Sequence, residues 1–335
     1  MELTTKLSKV DGTGGALRYR GHEVDDVARG GLPVALARLW HDRTIDGDEG
    51  LGDARSWAGT QLERVGPALA SEDGMVALRG AIGLLPADTT DAQLVGAMAV
   101  FGAAWIRGGP VVPDPTADHG ADVLRMATGT GDDAHGHALD TYLATVADHG
   151  TNASTFAARV VASTGSDTVS SVVAALGALK GPLHGGAPGP VLDMLDATVG
   201  LDDLDAWVAA ELDAGRRIMG FGHRVYRARD PRAVVLEEAA GRLGSGTGRQ
   251  DHAARLEEAV GRGLRQRHPD RVLAANVEFA TAVLLEAVGI PREAFTVVFA
   301  MGRVVGWLAH VAEQRSNGRL IRPRATYVGR EGPAT

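Results

Sequence analysis

The sequence predicts an all-α protein. Aromatic residues make up only 4% of the 335-residue chain, which is rich in Ala, Leu, Val and Arg. Few stretches alternate strictly between apolar and polar residues, whereas several repeat apolar residues at helical spacing. Ala, Leu and Arg favour helices, while aromatic and β-branched residues favour strands. Together these observations favour helices over sheets.

Individual helices can be placed from their apolar spacing and their ends. The stretch "NVEFATAVLLEAVGIP" predicts a helix that stops at Gly289, two residues before Pro291. A second apolar stripe runs over residues 295–314 and carries Gly302 and Gly306 four residues apart, which would let another helix approach closely. In "NASTFAARVVAST", Ser154 is predicted to be the N-cap of a further helix.

Clusters of Gly, Pro, Asp and Thr predict the loops. They fall at residues 107–120, 128–137 and 241–250. The helical signal is weakest between about 70 and 140. No internal repeat, Walker-type phosphate loop or strand-linked GxGxxG motif is found.

Composition excludes several classes of function. The net charge of -8 argues against nucleic acid or an anionic membrane as the partner. The chain has no cysteine, so it has no disulfide, thiolate metal site or cysteine nucleophile. The longest nearly apolar run, Leu94 to Ile106, is shorter than the roughly 20 residues that span a bilayer. The opening "MELTTKLSKVDGTGG" lacks an apolar segment, and we expect a cytoplasmic protein.

Polar residues next to glycines mark the candidate site. They are His149 in "ADHGTNAST", His184 in "GPLHGGAP", His223 and Arg232 in "MGFGHRVYRARDPRA", Glu278 in "AANVEFA", Arg303 in "AMGRVVGW", and Arg322 with Arg324 in "IRPRATYVG". A single histidine in an apolar context is more often structural. A salt bridge is the alternative role for Arg232 and Arg303, and the sequence leaves both possibilities open.

Two of these histidines have a specific functional interpretation. His184 lies in a turn that leads into a helix, where the positive end of the helix dipole disfavours an imidazolium. A neutral His184 could donate a hydrogen bond to a developing oxyanion. Gly220 and Gly222 would let a bulky ligand approach the backbone beside His223. Arg232 offers a planar fork that matches carboxylates.

The "HGH" motif at His135 and His137 resembles the metal-binding pair of barrel-type acyl-CoA condensing enzymes. Such a pair needs a rigid strand, and no strand signal is present here. We therefore interpret the motif as part of a solvated loop.

Taken in order, these segments resemble the citrate synthase family, which includes 2-methylcitrate synthases. The similarity begins at "LSKVDGTGGALRYRGHEVDDVA", resumes at "ADHGTNASTFAARVVAST" and continues through "RPRATYVG". It covers roughly two thirds of the chain and rests on five separated motifs.

The resemblance implies a function for each candidate residue. The base that deprotonates the acyl-CoA would be Glu278, His184 would stabilise the enolate, and His223 would polarise the keto group of oxaloacetate. The dicarboxylate would be held by His149, Arg232, Arg303 and Arg322, and coenzyme A would be flanked by the backbone at Gly220, Gly222 and Asn276. No metal or other cofactor is implied, since acyl-CoA is a substrate.

The resemblance also implies an all-α fold of two domains. Residues 1–185 and 290–335 would form a large domain that carries the oxaloacetate site and the dimer interface. Residues 186–289 would form a small domain on the coenzyme A side, which contains His223 and Glu278 and closes over bound substrate. Arg322 would reach into the neighbouring subunit of a homodimer.

The sequence departs from the family near the acyl-CoA end. Glu278 replaces the usual aspartate and shifts the carboxylate by about 1 Å, enough to cost about a hundredfold in rate. Pro188 replaces an asparagine and Gly189 replaces a polar residue. Ala280 replaces an aromatic residue, and this smaller side chain could enlarge the acyl pocket. We expect an acyltransferase that uses acetyl-CoA or propionyl-CoA. The alternatives are a diverged relative that binds ligand without efficient turnover, another acyl-CoA and oxo-acid pair, or the reverse cleavage.

Overall fold

The structure is a computed structural model. It describes residues 3–41, 50–185, 188–223, 225–244 and 248–329, and of Pro188 only the backbone. Within these ranges the chain forms sixteen α-helices and one small sheet. The prediction of a mainly helical protein is confirmed.

The sheet lies at the N-terminal end and has three antiparallel strands in the order β1-β2-β3. The strands are β1 (Ser8–Asp11), β2 (Ala16–Tyr19) and β3 (His22–Glu23). Val10 pairs with Leu17, and Tyr19 pairs with His22. Arg20 and Gly21 form the tight turn between β2 and β3, with φ of 46° and 89°.

The first ten helices follow the sheet. They are α1 (Val24–Ala28), α2 (Gly31–His41), α3 (Leu51–Thr60), α4 (Leu62–Leu69), α5 (Gly74–Gly83), α6 (Asp91–Arg107), α7 (His119–Thr128), α8 (Asp133–Thr145), α9 (Ala153–Ser163) and α10 (Thr168–Leu179). The stretch that gave the weakest signal thus contains the helices α5 to α7 and the start of α8, and α6 is buried without interruption from Leu94 to Ala104. A helix buried on all sides has no polar face, which removes the amphipathic pattern.

The remaining helices are α11 (Pro188–Thr198), α12 (Leu204–Asp213), α13 (Pro231–Arg242), α14 (Gly248–Arg267), α15 (Val277–Ala287) and α16 (Phe295–Asn317), with a short 3₁₀ turn at Arg292–Ala294. After α16 the chain continues in extended form to residue 329. The predicted helix end is confirmed, because α15 finishes at Ala287 and Gly289 has φ of 82°.

The helix α16 forms the centre of the core. It is long and apolar enough to span a membrane, but 89% of its most apolar window is buried inside the protein. The close approach predicted at its two glycines is confirmed. A Cβ on Gly302 would lie 2.5 Å from the carbonyl oxygen of Leu143, and one on Gly306 would overlap the carbonyl oxygen of Ala147. The end of α8 therefore packs directly on the α16 backbone.

Two local predictions are wrong. Residues 133–137 belong to α8 and not to a loop, because the Asp132 side chain caps that helix by accepting the backbone N–H of His135 at 2.9 Å. The "HGH" motif is therefore helical. Ser154 is not an N-cap, since Asn152 Oδ1 accepts the N–H groups of Ser154 and Thr155 and begins α9.

Candidate active site

A cavity of about 290 Å³ lies where the segment after α8, the start of α15 and the first half of α16 meet. Six of the predicted site residues line it: His149, His184, His223, Arg232, Glu278 and Arg303. They come from distant parts of the sequence, and the fold brings them together. Tyr142, Thr281 and Phe299, which the sequence analysis missed, also line the cavity.

Hydrogen bonds fix the tautomer of His223. Its Nδ1 accepts the backbone N–H groups of Val225 at 3.0 Å and Tyr226 at 3.2 Å, so a neutral imidazole carries its proton on Nε2. Burial and the positive charge of Arg232 lower the pKa of His223, which favours the neutral ring. Arg232 Nη2 lies 3.3 Å from the same Nε2. Two donors therefore face each other at the cavity wall, and an acceptor oxygen could satisfy both.

Arg232 is held in place by Asp230. The guanidinium donates to Asp230 through Nε at 3.0 Å and through Nη2 at 2.8 Å, and both side chains are almost fully buried. Asp230 also caps α13 and accepts the N–H of Val277, the first residue of α15. The salt bridge left open by the sequence exists, but it lies in the site and not on a solvated face. The Asp-Pro pair was the available signal for this cap.

Arg303 and His149 complete the polar wall. Arg303 donates from Nε to the carbonyl of Val146 at 2.6 Å, and its guanidinium lies 4.6 Å from the centre of the Phe299 ring. Burial lowers the pKa of Arg303 to about 10, so it remains a cation at pH 7. His149 Nε2 lies 3.1 Å from the Tyr226 hydroxyl. Burial, with Arg232 nearby, holds the pKa of His149 well below 6.5.

His184 contacts the cavity from the turn after α10. Its Nε2 lies 2.8 Å from Ser154 Oγ, and the same oxygen accepts the indole N–H of Trp307 at 3.1 Å. The pKa of His184 falls to about 4, first because of burial and then because of Arg303. The ring is therefore neutral at pH 7, as predicted. The shift comes from burial and a cation, rather than from the helix dipole on which the sequence argument relied.

Glu278 lies in the first turn of α15. That helix is capped by Asn276, whose Oδ1 accepts the N–H of Glu278 at 2.9 Å. Among the described residues, the Glu278 carboxyl group makes no hydrogen bond or ion pair. Burial raises its pKa, and Arg232 opposes the rise. The cavity thus contains one unpartnered carboxyl group near a wall of donors.

The three residues expected near coenzyme A lie next to the cavity. Gly220 and Gly222 both have positive φ, of 78° and 72°. Asn276 Nδ2 donates to the carbonyl of Gly222 at 2.7 Å, and the Asn276 N–H donates to the carbonyl of Gly220 at 2.9 Å. An open groove of about 950 Å³ adjoins this segment, with Phe221 and Ala275 in its wall.

Other sequence-based expectations concern residues outside the cavity. Arg322 is exposed in the extended segment after α16 and lies outside the cavity of its own chain, so its role in a partner's cavity stays a prediction. Ala280 is buried on the opposite side of α15, facing α13 and α14, so the prediction that it enlarges the acyl pocket is wrong. Gly189 lies in α11, and the Pro188 side chain lies outside the described residues.

Comparisons with known proteins identify the family of the chain. The sequence profile of the family described as "Citrate synthase, C-terminal domain" matches residues 1–324. The chain belongs to the citrate synthase family. It is 40% identical to "Putative citrate synthase 2" of Mycobacterium tuberculosis, across 98% of this chain and 90% of the relative. It is 37% identical to "Citrate synthase" of Haloferax volcanii, across 97% and 93%.

Solved citrate synthases share the two-domain helical fold. The crystal structure of the Pyrobaculum aerophilum enzyme matches with a TM-score of 0.88 and 32% identity, over 100% of this chain and 92% of that one. The Thermoplasma acidophilum enzyme, in ternary complex with carboxymethyl coenzyme A and oxaloacetate, matches with a TM-score of 0.87 and 28% identity, over 99% and 95%. The family reaction, condensation of an acyl-CoA with oxaloacetate, therefore frames the chemistry of the cavity.

Proposed function

We propose that the cavity condenses acetyl-CoA or propionyl-CoA with oxaloacetate, and that Glu278 is the base. The observation that carries this proposal is the pairing of one unpartnered carboxyl group with a wall of donors from His223, Arg232 and Arg303. The donors suit a dicarboxylate, and the carboxylate suits proton removal. The raised pKa of Glu278 makes it a stronger base than an ordinary glutamate.

The reaction then proceeds in three steps. Glu278 takes a proton from the carbon next to the thioester, and the C–H electrons move onto the carbonyl oxygen, which accepts a hydrogen bond from neutral His184. The enolate carbon attacks the keto carbon of oxaloacetate, and the alkoxide that forms takes the proton of His223 Nε2. The proton held by Glu278 then passes to His223, so that both residues return to their starting states. Water then cleaves the thioester to release CoA and citrate or methylcitrate. This acid–base and electrostatic chemistry requires no metal or other cofactor.

We propose that His149, Arg232 and Arg303 hold oxaloacetate. Arg232 already donates two hydrogen bonds to Asp230, which fix its guanidinium group. Little side-chain entropy is therefore lost when oxaloacetate binds. The acyl-CoA would enter from the groove beside Gly220, Gly222 and Asn276. Phe221 and Ala275 line the groove, while His223 and Val277 line the cavity. In each segment the residue in the groove is thus only two positions before the residue in the cavity, so the two spaces are neighbours.

The proposed domains are 1–185 with 290–335, and 186–289. The cavity draws His149, His184 and Arg303 from the first unit, and His223 with Glu278 from the second. Closure of one unit on the other would assemble the site and exclude water. We propose a cytoplasmic location, because a chain without cysteine has no disulfide that would need an oxidising compartment.

We also propose a homodimer in which Arg322 enters the partner's cavity. The test mixes two inactive variants, Arg322→Ala and Glu278→Gln, by unfolding and refolding them together. If Arg322 acts across the interface, half of the sites in each mixed dimer regain all residues, so activity returns to about a quarter of the wild-type value. If Arg322 acts within its own chain, or not at all in catalysis, the mixture gains no activity.

The central experiment is a panel of acyl-CoA substrates with oxaloacetate. Free thiol from released CoA is measured with a thiol reagent, to which the cysteine-free protein contributes no background. Glu278→Gln is expected to lower turnover by about 10² to 10⁴-fold without weakening oxaloacetate binding. Glu286→Gln, which changes an ion-paired glutamate on the same helix, is the matched control and should leave turnover unchanged.

A second candidate function is ligand binding without efficient turnover, since Glu278 is one methylene longer than the family aspartate. Glu278→Asp separates the two candidates. A large gain in citrate formation would favour the diverged binding protein, and a loss would favour an enzyme adapted to glutamate. Stabilisation by oxaloacetate with no thiol release from any acyl-CoA would overturn the proposed activity.

A further inference from the structure

Tyr226 contacts three groups of the candidate oxaloacetate site without lining the cavity itself. Its hydroxyl lies 3.1 Å from His149 Nε2, and its backbone N–H donates to His223 Nδ1. Its ring centre lies 4.9 Å from that of His223 and 5.8 Å from the Arg232 guanidinium carbon. Only 2% of the residue is exposed. Tyr226 therefore packs against His149, His223 and Arg232 on the side away from the cavity.

The direction of the bond to His149 follows from the number of protons. The phenol carries one proton, which burial keeps in place by raising the pKa of Tyr226. Among the described residues, His149 Nε2 is the one hydrogen-bond partner of this hydroxyl. If Tyr226 instead accepted a hydrogen bond from Nε2–H, its own buried O–H would have no acceptor among the described residues, which costs about 1–3 kcal/mol. The hydroxyl therefore donates, and Nε2 carries the lone pair.

A neutral imidazole has one N–H, so an accepting Nε2 places the proton on Nδ1. Burial of the ring, together with the cations Arg232 and Arg303, lowers the pKa of His149 and keeps it neutral. The remaining nitrogen of His149 is then a donor. A dicarboxylate offers only acceptor oxygens, and the other tautomer would present a lone pair to them.

We propose that Tyr226 is a positioning residue that fixes the Nδ1–H tautomer of His149 and thereby makes it a donor for oxaloacetate. This inference rests on the proposed function for the choice of ligand, but its tautomer prediction does not. Tyr226 and His149 lie on opposite sides of the proposed domain boundary. The bond thus also makes the donor state of His149 depend on the position of Tyr226.

The direct test is nitrogen NMR of histidine-labelled protein, with the His149 signals identified by their loss in His149→Ala. The wild type should show a protonated Nδ1 and an unprotonated Nε2 at His149. In Tyr226→Phe the tautomers should mix. A wild-type His149 protonated at Nε2 would overturn the proposal, whether or not the protein turns over any acyl-CoA.

Kinetics give the second test. Tyr226→Phe should raise the KM for oxaloacetate by about 3- to 10-fold, as expected for one hydrogen bond, with kcat changed less than about twofold. In the His149→Ala background the same substitution should have no further effect, because Tyr226 acts through His149. Equal effects in both backgrounds would show that Tyr226 does not act through His149. If no turnover occurs, the same cycle is measured by oxaloacetate binding in a calorimeter.

Discussion

Replacing Ser154 with alanine tests whether the hydroxyl under His184 is required for catalysis. In the structure this buried oxygen contacts His184 Nε2 at 2.8 Å, Trp307 Nε1 at 3.1 Å and Asn152 Oδ1 at 2.8 Å. Ser154→Ala leaves the indole N–H of fully buried Trp307 without an acceptor. One stranded buried donor costs about 1–3 kcal/mol, so the free energy of unfolding should fall by that amount.

The same substitution should lower kcat more than it changes substrate affinity. Without the hydroxyl, nothing holds the Nε2 edge of His184, and a misplacement of about 1 Å costs on the order of 10²-fold in rate. The KM for oxaloacetate should change little, since Arg232, His223 and Arg303 do not contact Ser154. Urea unfolding and thiol release measure the two effects separately.

The matched control is Thr155→Val in the same helical turn. Thr155 Oγ1 is buried and has no hydrogen-bond partner among the described residues. Removing this hydroxyl should therefore not lower the free energy of unfolding, which could rise by up to about 1–3 kcal/mol, and it should leave kcat unchanged. Wild-type stability and kcat in Ser154→Ala would refute the assigned hydrogen bonds.

Three further predictions concern packing and pH. Gly306→Ala should destabilise the protein by about 1–3 kcal/mol in urea unfolding, because its Cβ meets the Ala147 carbonyl. Gly66→Ala, with open space around the Cβ, should instead gain about 0.5–1 kcal/mol. Burial raises the pKa of Asp140 from 3.8 to about 7. Between about pH 4 and 7 the folded protein therefore keeps Asp140 protonated while the unfolded chain does not, so the free energy of unfolding falls as the pH rises through this range. Asp140→Asn should flatten that slope in unfolding measured against pH. Since the pKa of Glu278 is raised above 4.5, kcat should fall on acidification at a pH above that value. A rate that stays constant down to pH 4 would exclude Glu278 as the base.

Local signals in the sequence predicted much of the fold. The apolar stripes of α15 and α16 have clear ends, and the glycines of α16 indicate a close neighbour, as observed. The region from 70 to 140 gave little signal because helices such as α6 are buried on every side. At residue 132 the Gly, Asp and Thr-rich composition predicted a loop, but a single aspartate cap is sufficient to start α8.

The candidate site was predictable only for residues that carry charge or sit beside glycines. Ser154, Tyr226 and Asp230 support those residues from behind, and their partners are 30, 77 and 2 positions away along the chain. Neither long-range pairing leaves a periodic or compositional mark. The expectation for Ala280 failed for a related reason. On α15 the residues facing the cavity are Val277, Glu278 and Thr281, so position 280 points the other way.

Asn276 joins two structures with a single side chain: it begins the helix that presents Glu278 and binds the carbonyl of Gly222. A displacement of the turn at Gly222 would therefore also shift the start of α15 and the carboxyl group of Glu278, the proposed base. Binding of the acyl-CoA and the position of Glu278 are then coupled through Asn276. Selection for a longer acyl chain would have to adjust both at once, and a compensating change in side-chain length at position 278 is one way to do so.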